Sequence, residues 1–178
     1  APIYDSMLSY FSIPFEVESN DYRGIFPDAI LQLEPGFSPA EPGSGMPDGS
    51  GGCFTLEWSE HYGTELSFFT EDIQPGKGYG VVFQSGITYG EQVVNGNDVI
   101  QEVSVTVHPG WNLIGGIGLN PIPIDTIIDP DGLIATTAVG LAAIYDYTTQ
   151  YNLVTELLPG HCYYLQSLGH GEIQINAQ

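Results

Sequence analysis

The sequence predicts an all-β protein built as two tandem immunoglobulin-like β-sandwich domains, and three observations lead there. A phrase occurs twice, Pro75-Gly76-Lys77-Gly78-Tyr79 and Pro159-Gly160-His161-Cys162-Tyr163, each time leading from a turn into an aromatic and aliphatic run. Repetition of this kind marks two related modules. Between its punctuating Gly and Pro residues the chain is a succession of short β-branched and aromatic segments, with little apolar spacing at helical period. Its 178 residues suffice for one large domain or two small ones, and the repeat favours two, 1–102 and 103–178.

In the first half the expected strands are 8–17, 29–33, 53–58, 66–69, 78–83 and 92–94. The segment 35–52 holds four prolines and six glycines with almost no apolar content, which predicts an exposed irregular loop. In the second half the expected strands are 103–107, 111–115, 141–147, 151–154, 162–165 and 172–175, enough for a small sandwich. Pro123-Ile124-Asp125-Thr126-Ile127-Ile128 is expected to start a short helix before Asp129-Pro130-Asp131-Gly132 turns the chain. Within the repeated strands, Tyr79, Val81 and Phe83 share one face and Gly78, Gly80 and Val82 the other. Tyr163 and Leu165 form the equivalent face in the second copy. Gly78 leaves room for close packing, and the second copy carries Cys162 there instead.

Charge narrows the function classes. Lys and Arg together number 2 (Arg23 and Lys77) against 22 acidic residues, for a net charge of -20. Nucleic-acid binding needs cations to neutralise phosphates, so this chain has no footprint for it, and anionic membranes repel it too. Only 13% of residues are charged, which implies a largely neutral polar surface, a pattern that suits a secreted or cell-surface protein. The start at Ala1-Pro2 and the lack of a long apolar run fit a processed mature product without membrane insertion. Cys53 and Cys162 lie in different halves. One long-range disulfide and two buried free thiols are both open readings.

Three phrases carry a resemblance: Val103-Ser104-Val105-Thr106-Val107-His108-Pro109-Gly110-Trp111-Asn112-Leu113-Ile114-Gly115, then Ile144-Tyr145-Asp146-Tyr147, then the closing Pro-Gly-x-x-Tyr strand. Together they resemble the Gly-Trp-Asn-Leu-Ile-Gly type β-module, often in tandem, of secreted and cell-surface proteins of bacteria and archaea. The resemblance covers about the last 75 residues and, in the first half, 73–96, with Pro35-Gly36-Phe37 as a degenerate counterpart of Pro109-Gly110-Trp111. It implies an immunoglobulin-like scaffold outside the cell and no general enzymatic activity. The residues themselves agree: Gly110 permits the turn, the Asn112 amide can bond backbone where the strand starts, and Trp111 is expected in the core with Leu113 on its face.

No nucleophile elbow, metal-binding helix, phosphate loop or dinucleotide fingerprint is present, so no enzyme is expected. His61, His108, His161 and His170 are scattered, and the adjacent His161-Cys162 pair points to opposite faces of a strand, a poor chelate. Glu57, Glu60 and Glu65 lie among Trp58, His61 and Tyr62, which reads as solvated strand and turn acids rather than a catalytic pair. Asp129, Asp131 and the Asn95-Gly96-Asn97-Asp98 segment are the oxygen-rich calcium candidates, with turn chemistry as the alternative. No other cofactor is expected.

Two functions follow. The first is a self-associating subunit of a surface filament or layer, in which the N-terminal strand 7–17 completes a neighbour's sheet through Leu8, Tyr10, Phe11, Ile13, Phe15 and Val17. The alternative for that segment is the first strand of its own sandwich. The second function is a secreted carbohydrate-binding or adhesion module that stacks sugar on Trp58, Tyr62 or the tyrosines of 146–151.

Overall fold

The computed structural model describes residues 8–17, 53–68, 73–82 and 96–178. Among them the fold is all-β with several sheets. The first half contributes β1 (Leu8–Phe11), β2 (Phe15–Val17), β3 (Cys53–Ser59), β4 (Gly63–Phe68), β5 (Tyr79–Val82) and β6 (Gly96–Val99). The second contributes β7 (Glu102–Val107), β8 (Gly110–Gly115), β9 (Ile122–Pro123), β10 (Ile144–Tyr147), β11 (Tyr151–Leu153), β12 (Glu156–Leu157), β13 (Cys162–Ser167) and β14 (Gly171–Asn176).

Two expectations change. The strand over 8–17 is interrupted at Ser12-Ile13-Pro14, where proline offers no N–H to a ladder. The helix expected at 123–128 shrinks to a single 3₁₀ turn, Ile124–Thr126, because Ile127 returns to extended backbone (φ -66, ψ 128). The turn after it forms, with the Gly132 N–H donating to the Asp129 carbonyl at 3.2 Å. The segments 29–33, 35–52 and 92–94 lie outside the described residues.

Two four-stranded antiparallel sheets dominate, ordered β1-β5-β3-β4 and β8-β13-β10-β11. They match strand for strand and register for register. Phe11 faces Tyr79 as Ile114 faces Tyr163, and Tyr10 faces Gly80 as Leu113 faces Tyr164. Phe54 faces Gly80 as Tyr145 faces Tyr164, and Phe54 faces Phe68 as Tyr145 faces Leu153. The counterpart of the Gly-Trp-Asn-Leu-Ile-Gly strand in the first half is therefore β1. Pro35-Gly36-Phe37 lies outside the described residues.

The doubled phrase does the same work in both copies. Gly76 and Gly160 take φ of 82° and 79°, left-handed values that favour glycine in the turn. Tyr79 and Tyr163 are buried, and each hydroxyl reaches back five residues to accept a backbone N–H, from Gln74 at 2.7 Å and from Leu158 at 2.8 Å. A buried tyrosine thereby satisfies its polar tip and pins the turn. In the second half Tyr163 joins Val105, Val107, Ile114, Ile117, Ile122, Ile144, Leu157, Leu165, Ile173 and Ile175 in one apolar core.

Candidate functional site

The two sheets meet as across an approximate two-fold axis. The Ser12 N–H donates to the Gly160 carbonyl at 2.9 Å, and its counterpart, the Gly115 N–H, donates to the Gly76 carbonyl at 2.9 Å. Each Pro-Gly turn thus docks on the edge strand of the other half, the reciprocity of an isologous interface. On the axis, equivalent positions meet one another. A Cβ at Gly78 would overlap the Cys162 Sγ, and a Cβ at Gly115 would overlap the Ser12 side chain. Only one side chain fits at each crossing, which explains why the repeat is broken at these positions.

Cys162 is a buried free cysteine, so the disulfide with Cys53 is not formed; the Cys53 side chain lies outside the described residues. Burial pushes the Cys162 thiol far above its ordinary range, against the opposite pull of a backbone hydrogen bond at Tyr79. The thiol is a packing group, inert as a nucleophile.

Strand alternation divides the second sheet into two faces. Asn112, Ile114, Tyr163, Leu165 and Ile144 point to the core side, and Trp111, Leu113, Tyr164, Tyr145, Tyr147 and Tyr151 to the other. The first half covers the end of that second face at Leu113 and Gly115, both buried, and leaves the remainder open. Trp111 is 39% exposed there, Tyr147 41% and Tyr151 54%, so the expected core tryptophan is a surface residue. Asn112 behaves as expected: its side chain accepts the His108 N–H at 2.9 Å and donates to the His108 carbonyl at 2.9 Å, fixing the start of β8.

The open face is an aromatic platform. Trp111 and Tyr151 lie nearly parallel, 12° apart with centroids 6.2 Å apart. Both stand on Tyr164, nearly perpendicular to each at 87°. Tyr145 supports the pair from a second side, at 5.7 Å from Trp111 and 6.4 Å from Tyr151. The first half reaches in through Tyr10, whose hydroxyl shares a 2.7 Å hydrogen bond with that of Tyr164. Burial raises the pKa of both hydroxyls above the ordinary tyrosine value, so both stay protonated and neutral. The platform is amphipathic, and among the described residues no cationic side chain belongs to it.

A second cluster joins the halves at Trp58. The ring of Trp58 stacks on His108 at 5.3 Å and meets His170 edge-on at 4.5 Å. The two histidine Nδ1 atoms are 3.0 Å apart. Among the described residues no group of three or more His, Cys, Asp or Glu is placed to hold a metal ion.

The other sequence candidates fall as follows. Both carboxylate oxygens of Asp129 accept backbone N–H groups, from Leu133 at 2.8 Å and Ile134 at 2.9 Å, which is turn chemistry. Asp131 is exposed, and Asn97 and Asp98 lie in β6 rather than in a turn. Glu57 faces Glu65 across the β3–β4 ladder and lies 3.6 Å from Lys77, while Glu60 is exposed at the hairpin tip beside His61 and Tyr62. His161 is exposed while the neighbouring Cys162 is buried, so the two do not converge. Of the proposed subunit-interface residues, Phe11 and Ile13 are buried, Tyr10, Phe15 and Val17 are half-buried, and the side chain of Leu8 lies outside the described residues. β1 pairs with β5 of its own chain, the alternative that was open for this segment.

Sequence reasoning named the tyrosines of 146–151 and Trp58, but missed Trp111, Tyr145 and Tyr164 as parts of one surface. The signal was present as alternation: Trp111, Tyr145, Tyr147 and Tyr164 all fall on the face opposite the core isoleucines. No family model, curated protein or solved structure matches the chain.

Proposed function

We propose that the chain is a non-catalytic, extracellular binding module that holds neutral glycans on the Trp111 platform. The observation that carries this reading is the exposure of Trp111 and Tyr151 as near-parallel rings on an aromatic base. Aromatic faces of this kind accept the C–H-rich faces of sugar rings, and tyrosine hydroxyls at the rim supply hydrogen bonds. An exposed aromatic patch of this kind marks an interaction site. Charge sets the class: with Lys and Arg numbering 2 and a net charge of -20, anionic polysaccharides are repelled, which leaves uncharged ones.

The resemblance to tandem modules of secreted proteins supports the same location, and the matching sheets support two copies of one sandwich-type module. The other reading, a filament or layer subunit formed by strand exchange, has less behind it, because β1 is paired in its own chain and Phe11 and Ile13 are buried there.

Binding to an array of neutral and acidic glycans tests the proposal. Retention on at least one neutral glycan, reduced about tenfold or more by Trp111→Ala or Tyr151→Ala, is expected, since tenfold corresponds to about 1.4 kcal/mol, the scale of one stacking contact. Silence across all neutral glycans, or binding indifferent to both substitutions, would sink it.

A further inference from the structure

The first half's hairpin is the longer of the two. The β10–β11 hairpin turns after Tyr147, whereas its counterpart continues from Leu56 through Trp58 to Ser59 before it turns. That extension lays Trp58 over the β7–β8 turn at His108 and the β13–β14 turn at His170. The imidazole centroids are 5.3 Å apart while the facing Nδ1 atoms are 3.0 Å apart. The rings therefore lie end to end with their lone pairs aimed at each other, the geometry of an N–H···N hydrogen bond. A metal would need lone pairs that converge on a third point.

We propose that His108, His170 and Trp58 form a pH-operated latch between the two halves, closed while at least one imidazole is neutral and opened when both are protonated. A neutral pair holds one proton between its Nδ1 atoms, and the singly charged pair keeps that bond in a charge-assisted form. Two imidazoliums are both donors, so the bond is lost and like charges are left 3.0 Å apart. Trp58 then loses the surface on which it is stacked.

The neighbouring charges decide where this happens. Burial and His170 both lower the His108 pKa, with Lys77 in the same direction, while Glu57 on β3 opposes them. Glu57 is itself paired with Lys77 at 3.6 Å, and Glu65 lies across the ladder from it. Asp131 approaches the β13–β14 turn at Gly171. His108 accordingly takes up its proton below the ordinary histidine value of about 6.5. Beside the latch the Thr64 hydroxyl donates to the Pro109 carbonyl at 3.5 Å.

The chain contains two tryptophans, so Trp111→Phe leaves Trp58 as the sole indole, read by excitation at the red edge of its absorption where tyrosine does not absorb. Acrylamide quenching of that protein is followed from pH 8 to pH 4.5 beside far-ultraviolet circular dichroism. We expect about a twofold rise in the quenching constant in a single step below pH 6.5, at unchanged circular dichroism. Adding His170→Gln or His108→Gln should remove the step, and adding His161→Gln should leave it. Quenching independent of pH, the same step in His170→Gln, or a step that coincides with loss of the dichroism would each overturn the latch.

Discussion

The two halves share strand order and register but differ at one structurally decisive pair of positions. In the first, Gly80 faces Phe54 across the ladder, and the Phe54 ring lies down over it, since a Cβ at Gly80 would overlap that ring. Phe54 is consequently buried, at 6% exposure. In the second, Tyr164 fills the position of Gly80, and Tyr145, the counterpart of Phe54, stands half-buried beside it. One copy thus closes its sheet face by collapse, and the other builds upward into a platform that Trp111 and Tyr151 complete. The two halves share one register, and the residue at a single ladder position separates packing from presentation.

The sharpest way to break the kinship between the halves is at the axis. Gly115→Ala forces a methyl into the Ser12 side chain and against the Lys77 carbonyl, and we expect a loss of about 3 kcal/mol in urea unfolding. Adding Ser12→Gly should restore part of it, at the cost of the 2.7 Å bond from the Ser12 hydroxyl to the His161 carbonyl. Strict additivity of the two changes would mean that the halves do not meet at this crossing.

A milder perturbation asks whether the doubled phrase is equivalent in energy as well as in geometry. Tyr79→Phe and Tyr163→Phe each remove a hydroxyl that accepts a backbone N–H, of Gln74 and of Leu158, and each should cost about 1 to 2 kcal/mol. Equal losses by chemical denaturation would sharpen the comparison, whereas a loss confined to one copy would show that only that turn is pinned by its tyrosine.

The smallest effect belongs to the cluster that has no counterpart in a repeat. Because the His108 pKa is lowered in the folded chain, the unfolded chain takes up its proton first as pH falls. The stabilisation from neutral His108 is therefore full above pH about 6.5 and is lost as pH drops from there through the lower folded value. Thermal melts at pH 7.5 and pH 5 should show a smaller acid-induced loss in His108→Asn than in the parent. Equal losses in both proteins would remove His108 from the pH response.

The halves also show what was legible in the chain. The repeat and the alternation around it were enough to place β5 and β13, the turns that lead into them and the tyrosine that enters each core, because these are local consequences of sequence. Asn112 was legible for the same reason, since its hydrogen bonds run to His108 and Gly110, its near neighbours. The helix expected at 123–128 failed because the Ile124 N–H donates to the Thr155 carbonyl and Ile128 bridges to Gln174, distant partners that no local pattern reveals.

By itself the sequence determined the all-β class, the doubled phrase and the two faces of each repeated strand. Which face would be covered was decided only by the tertiary structure. Alternation with period two assigns Trp111 and Ile114 to opposite sides but is silent on which side the other half will bury. The meeting of Gly78 with Cys162 and of His108 with His170 likewise joins residues far apart along the chain. Close packing along an axis leaves space for one side chain where two equivalent positions meet, and that constraint exists only once the halves are folded against each other.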